Sequence, residues 1–237
     1  MKKIILSSLL CVISMCLHAQ YKVGDIYNKG GVKGMVVVVD DSGKHGLLLS
    51  LSESEADWTI SEDLNLETSA FHEDDGMKNM QAIATYIQQN NKSWLDFPVF
   101  NWARSLGAGW YIPSKQELLE IWTNLNGGDL KLNKKSKKSW KKYNNAIKKA
   151  NGDALFTKLS VMESGFNHVL MGMISSTESD GGKVWVVNAL GRLCIIDALA
   201  SPNATIEATE LDKNDHSETR NALAVRRKFA SRAVYKF

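Results

Sequence analysis

The chain has 237 residues, 44% hydrophobic and 23% charged, with a formal net charge of +3. That length bounds it to one large domain or two small ones, and a charge this close to neutral gives no ground for a nucleic-acid partner. Past the N-terminus no apolar run is long enough to cross a bilayer, so no transmembrane segment is expected.

Residues 1–19 read as a secretory signal peptide. Lys2 and Lys3 make a positive start, residues 4–17 are almost wholly apolar, and Ala19 offers a small residue for cleavage. Lipoprotein processing at Cys16 is the alternative, against which Met15 is bulky where a small residue belongs. Cleavage after Ala19 removes Cys11 and Cys16 and leaves Cys194 alone, so no internal disulfide is expected. Cys194 lies in the apolar run 193–196 and reads as a buried, inert thiol. The processed chain carries 27 basic and 26 acidic side chains.

Residues 21–27 read as extended, with turn signals at Gly30-Gly31 and Gly34. The β-branched run 35–39 predicts a strand covered on both faces. Asp40-Asp41-Ser42-Gly43 predicts a hairpin turn, with residues 46–51 as the returning strand. Residues 52–76 are acidic and irregular. They read as a solvated loop anchored by Trp58; several carboxylates could suit calcium, but no EF-hand spacing is present. A helix follows over 79–90, with Met80, Ile83, Ala84 and Ile87 on one face and Asn79 as its cap. A shorter helix is expected over 97–106.

Residues 107–122 form the centre of the pattern. Trp110, Tyr111 and Ile112 predict a short buried strand, and Pro113 keeps the chain extended. Ser114 and Glu117 are spaced as a capping box, and Leu118, Leu119, Ile121 and Trp122 give the helix a buried face. Residues 131–149 hold nine lysines with Trp140, Tyr143 and Ile147 at helical spacing. This reads as an exposed helix with its aromatic side on the core. The functional alternative is a patch for anionic glycan, lipid headgroups or nucleic acid. A second β region runs from 169 through Ser175-Ser176-Thr177-Glu178 and a turn at Asp180-Gly181-Gly182 to strands at 183–188 and 192–196. Trp185 is expected in the core. Glu178 is expected to accept N–H groups of the turn after it, with Arg226, Arg227 and Arg232 either paired with it or exposed. Residues 198–223 read as a long polar loop, and 224–237 as a closing strand.

His45, His72, His168 and His216 share no metal-ligand spacing. His72 beside Glu73, Asp74 and Asp75 is the one cluster that could hold a metal. There is no nucleophile elbow and no phosphate loop, so no enzyme and no cofactor is expected.

The pieces GMVVVVDDSGKHGLLLSL, NMQAI, GWYIPSKQELLEIW, SSTES with VWVVNALGRL, and AVRRKFASRAVYKF occur in that order. Together they resemble the C-type-lectin-like domain of exported bacterial proteins, similar to the C-terminal domain of Legionella collagen-like adhesins. Formylglycine-generating enzymes and the variable proteins of diversity-generating retroelements are more distant kin. The resemblance implies a single α+β domain over residues 20–237. It implies helices flanking a small twisted antiparallel sheet, N- and C-terminal strands close together, and a long-loop region that carries recognition. The calcium-site triplets Glu-Pro-Asn, Gln-Pro-Asp and Trp-Asn-Asp of animal C-type lectins are absent. The expected function is an exported, non-catalytic binding module of a Gram-negative cell envelope, in the periplasm, on the outer membrane or secreted. It would recognise a glycan or protein ligand through residues 176–183 and 197–219, with Asp180, Asn188, Arg192, Asn203 and Asp212 as polar contacts. The alternatives are a structural or adhesin subunit of a surface assembly and an enzyme of the formylglycine-generating type acting through Cys194. The oligomeric state stays open.

Overall fold

β1 (Ile26–Lys29) and β2 (Val32–Val39) meet through Gly30 and Gly31, whose φ angles of +59° and +79° are those a two-residue hairpin demands. β2 returns as β3 (Gly46–Ser50), with Met35 opposite Leu49 and a bulge between Val36 and Val38. In the connecting turn, Asp40 Oδ1 accepts the Ser42 hydroxyl at 2.7 Å and the Lys44 N–H at 3.2 Å. Gly34, expected in a turn, lies inside β2 instead. A Cβ there would sit 2.9 Å from the Leu49 carbonyl and 3.2 Å from the Trp110 ring, so close approach is what requires glycine. This computed structural model describes residues 20–61, 66–128, 134–155, 172–180, 182–188, 193–197, 207–208 and 231–237.

β9 (Val234–Lys236) lies between β3 and the two-residue β4 (Trp110–Tyr111), with Tyr235 opposite both Leu48 and Trp110. The first sheet therefore runs β1-β2-β3-β9-β4. The regular closing strand is shorter than its alternating pattern predicts, and Ser231 adds only an isolated bridge to Ser54. Phe237 stacks against Tyr21 and Tyr27, at 5.5 and 5.2 Å between ring centres.

The second sheet comprises β5 (Gly172–Glu178), β6 (Lys183–Asn188), β7 (Leu193–Asp197) and β8 (Glu207–Ala208), all antiparallel in that order. Cys194 is the second residue of β7, its backbone paired with Val186 and Ala208.

Four α-helices complete an α+β fold among the described residues. α1 (Gly76–Gln89) starts before Asn79. Asp75 is its cap, accepting from the N–H groups of Met77 and Lys78, and Asn79 is buried in the first turn. α2 (Pro98–Ser105) begins on a proline, which needs no N–H partner there. α3 (Lys115–Leu125) has the predicted capping box: Ser114 Oγ accepts from Glu117 N, and Glu117 Oε2 accepts from Ser114 N at 2.9 Å. Its Leu118, Ile121, Trp122 and Leu125 are fully buried, while Leu119 is only half-buried. The helix touches β2 of one sheet and β5 and β6 of the other, which puts the main core between the sheets around α3. α4 (Lys134–Lys149) turns Tyr143 and Ile147 inward and sets Trp140 edge-on to Trp122 at 5.7 Å. Trp58, 1% exposed, anchors the acidic stretch as expected. No described helix is long and apolar enough to cross a membrane.

Candidate functional site

The end of β5 is a buried polar junction. Thr177 Oγ1 donates to the His72 carbonyl and accepts from Lys115 N, both at 2.9 Å. Asn79 Nδ2 donates to the same carbonyl at 2.7 Å and to Ser176 Oγ at 3.0 Å. Trp58 Nε1 donates to the Ser175 carbonyl at 3.2 Å. Glu178, 2% exposed, accepts through Oε2 from the N–H and hydroxyl of Thr68, each at 2.8 Å. Its partner thus lies far back in the chain and not in the turn that follows, and burial pushes its carboxyl above the ordinary range. These contacts fasten β5 to α1, α3 and the acidic stretch. Ser176, Thr177 and Glu178 belong to the interior, which corrects their expected place in a recognition surface.

Of the five residues expected to touch a ligand, Asp180 is exposed in the β5–β6 turn, where its carbonyl accepts from Lys183 N at 2.8 Å. Asn188 closes β6 with its backbone opposite Gly172; its side chain lies outside the described residues. Arg192, Asn203 and Asp212 also lie outside them, as do Arg226, Arg227, His168 and His216. Trp185 is half-buried instead of fully enclosed. It lies under the Lys115 ammonium at 4.3 Å, which also pairs with Glu73.

A different place presents open, mixed chemistry. A cleft of about 440 Å³ lies between the β1–β2 turn, the end of β3, the α2–β4 connection and the turn after α4. Leu106 and Trp110 line its apolar part, and Lys33, Ser52, Asn151 and Asp153 its polar part. Lys33 projects from β2, and its Nζ donates to the Ala150 carbonyl at 2.9 Å. Asn151 lies in the turn that follows α4, with φ +61°, a left-handed conformation that asparagine tolerates better than most side chains. Asp153 is held from both sides: its N–H donates to the Leu51 carbonyl at 2.8 Å, and its Oδ2 accepts from Glu53 N at 3.1 Å.

Beneath these segments lies Arg232, 2% exposed. Its guanidinium donates to the carbonyls of Ser50 at 2.9 Å, Leu51 at 3.2 Å and Asp153 at 2.8 Å, and pairs with Glu53 at 3.2 Å. Burial lowers the guanidinium's pKa and raises that of the Glu53 carboxyl, while their mutual attraction opposes both shifts. Arg232 therefore resolves the two sequence expectations in a third way, with Glu53 as its partner and no exposure. It ties two of the segments that line the cleft, the end of β3 and the turn after α4, to the C-terminal segment.

Among the described residues the cleft lining holds no histidine or cysteine. The Ser50 hydroxyl donates to the Ser52 carbonyl at 2.8 Å and accepts from Ala233 N at 3.1 Å, so it is engaged in structure. Among the described residues no group of three or more His, Cys, Asp or Glu side chains could hold a metal. In the acidic stretch Glu53, Glu73 and Asp75 are already occupied, by Arg232, by Lys115 and by the α1 N-terminus. What the cleft can do is donate and accept hydrogen bonds beside an apolar wall. Sequence reading missed it because four separate segments build it. The one local signal was Asn151-Gly152 directly after the lysine helix. Comparison with known proteins gives no matching family model and no matching curated protein.

Proposed function

We propose that the chain is an exported, non-catalytic binding module of C-type-lectin-like fold that takes a glycan at the cell envelope. The observation that carries this reading is the cleft. A sugar ring presents hydroxyls at its edge and C–H groups on its face, and Lys33, Asn151 and Asp153 beside Leu106 and the small part of Trp110 left uncovered, 7% of the residue, match that division. The stretch 176–183 has no aromatic residue to supply such a wall. A preformed floor lowers the ordering cost of binding, and the Arg232 cross-links supply that rigidity. The fold reading is supported by the pairing of β9 with β3 and by helices beside small antiparallel sheets.

The test is a glycan array with residues 20–237, run with calcium and again with chelator. Selective binding that survives chelator and is lost in both Lys33→Met and Asn151→Gly is expected. The first substitution keeps the aliphatic stem, and the second keeps the left-handed backbone. Binding untouched by either would move the ligand to the β5–β6 turn around Asp180. Binding lost on chelation would make this a metal-dependent lectin. No binding by a folded sample would overturn the glycan reading. A structural subunit paired through the outer edge of β1 would then come forward. Light scattering would show it as a concentration-dependent oligomer.

A further inference from the structure

We infer that α4 is a docking face for an anionic phospholipid bilayer. The reasoning starts from what the helix lacks. Residues 131–152 contain nine lysines and not one aspartate, glutamate or arginine. An exposed helix that only needs to stay solvated gains from acidic residues four positions before its lysines. Here Lys134–Lys138, Lys137–Lys141 and Lys138–Lys142 are like-charge pairs at that spacing. The first turn holds no acidic residue, so Lys134 and Lys135 stand at the end of the helix dipole that repels cations. Only Lys148 and Lys149, in the last turn, are placed where the dipole favours a cation; the charges of the first three turns work against the helix that carries them.

The fold gathers the charge onto one side. Ser136, Tyr143 and Ile147 are buried, whereas Lys138, Lys141, Lys142, Lys148 and Lys149 are exposed. None of these five pairs with a carboxylate of a described residue. Outside residues 131–152 the processed chain carries 18 basic and 26 acidic side chains. An anionic surface would therefore attract this face and repel the rest, which fixes a single orientation.

The chemistry of the face selects the kind of anion. A helix of 16 residues is about 24 Å long, and its exposed lysines from Lys138 to Lys149 lie along one side of it, an arrangement suited to a flat surface. Lysine acts as a point charge without arginine's bidentate fork. The aromatic rings that could stack on bases, Trp140 and Tyr143, face the core. Among the described residues of α4 nothing reads a nucleic acid, and no exposed large apolar side chain lies among the lysines to insert into a bilayer. What is left is peripheral attraction to lipid phosphates, which a salt increase should release.

The test is co-sedimentation of residues 20–237 with phosphatidylcholine vesicles, with and without phosphatidylglycerol, at about 0.05 M and about 0.5 M salt. Lys138→Gln/Lys141→Gln/Lys142→Gln removes three charges from α4. Lys22→Gln/Lys44→Gln/Lys92→Gln removes three exposed charges elsewhere. Unchanged circular dichroism and melting show that both variants fold. The unmodified chain is expected to bind only the phosphatidylglycerol vesicles, and only at low salt. The α4 variant should bind about a hundredfold more weakly and the remote variant almost normally. Three results would overturn the proposal: equal weakening in both variants, equal binding to neutral vesicles, or tighter binding to heparin or DNA than to the anionic vesicles. Low-salt oligomers without lipid, abolished by the α4 substitutions, would also overturn it and assign the face to the acidic side of a second copy.

Discussion

Glu178 holds both Thr68 groups through one oxygen, and Oε1 has no hydrogen-bond partner among the described residues. Its carboxyl binds a proton more tightly in the folded than in the unfolded chain, whose value lies near 4.5. Well below that pH both states are protonated. As pH rises past 4.5 the unfolded state ionises first, so stability falls until the folded carboxyl ionises too. Glu53 is shifted in the same direction. Glu178→Gln, which removes the ionisation, should therefore flatten, without abolishing, the fall above pH 4.5. Urea melts at several pH values measure the change in slope. Arg232→Met leaves Glu53 half-buried without its cation and strips three carbonyls of a donor, at a cost of about 3–5 kcal/mol. Arg232→Met/Glu53→Gln should recover part of that loss, and a double-mutant cycle in urea reads the recovery.

At the scale of elements, the capping box joins two helices. Besides closing its own box, Glu117 Oε2 accepts from Gly76 N at 3.1 Å, and its Oε1 accepts from the Tyr111 hydroxyl at 2.7 Å. Ser114→Ala should cost about 1 kcal/mol of stability in a thermal melt. Gly76→Ala should cost more, about 1–3 kcal/mol, because the new Cβ would lie 2.3 Å from the Ile112 carbonyl. The box, both N-terminal turns and the inward side of α4 were legible in the sequence, since each depends on contacts within a few residues. Asn79 shows where that reading ends. It has the chemistry of a cap, but Asp75 fills that role, and the side chain of Asn79 instead reaches residues 176 and 177. Glu178 with Thr68, and Arg232 with Ser50, are equally invisible locally, because no spacing rule links residues that far apart. The cleft was not legible for the same reason.

On the scale of the molecule, β9 sits inside the first sheet and not at its rim, between strands made much earlier. Val234 is fully buried and faces both Leu49 and Tyr111 across the ladder. Deleting residues 231–237 should therefore abolish cooperative unfolding and native near-ultraviolet circular dichroism, beyond any loss of a fringe contact. The position of β9 also dictates when folding can finish. β3 and β4 have no shared partner until residues 234–236 have left the ribosome, so the sheet cannot close around the growing chain. Pairing across so long a separation is slow. Moving this strand beside β3 in the chain by circular permutation should hasten folding, and stopped-flow refolding would measure the gain.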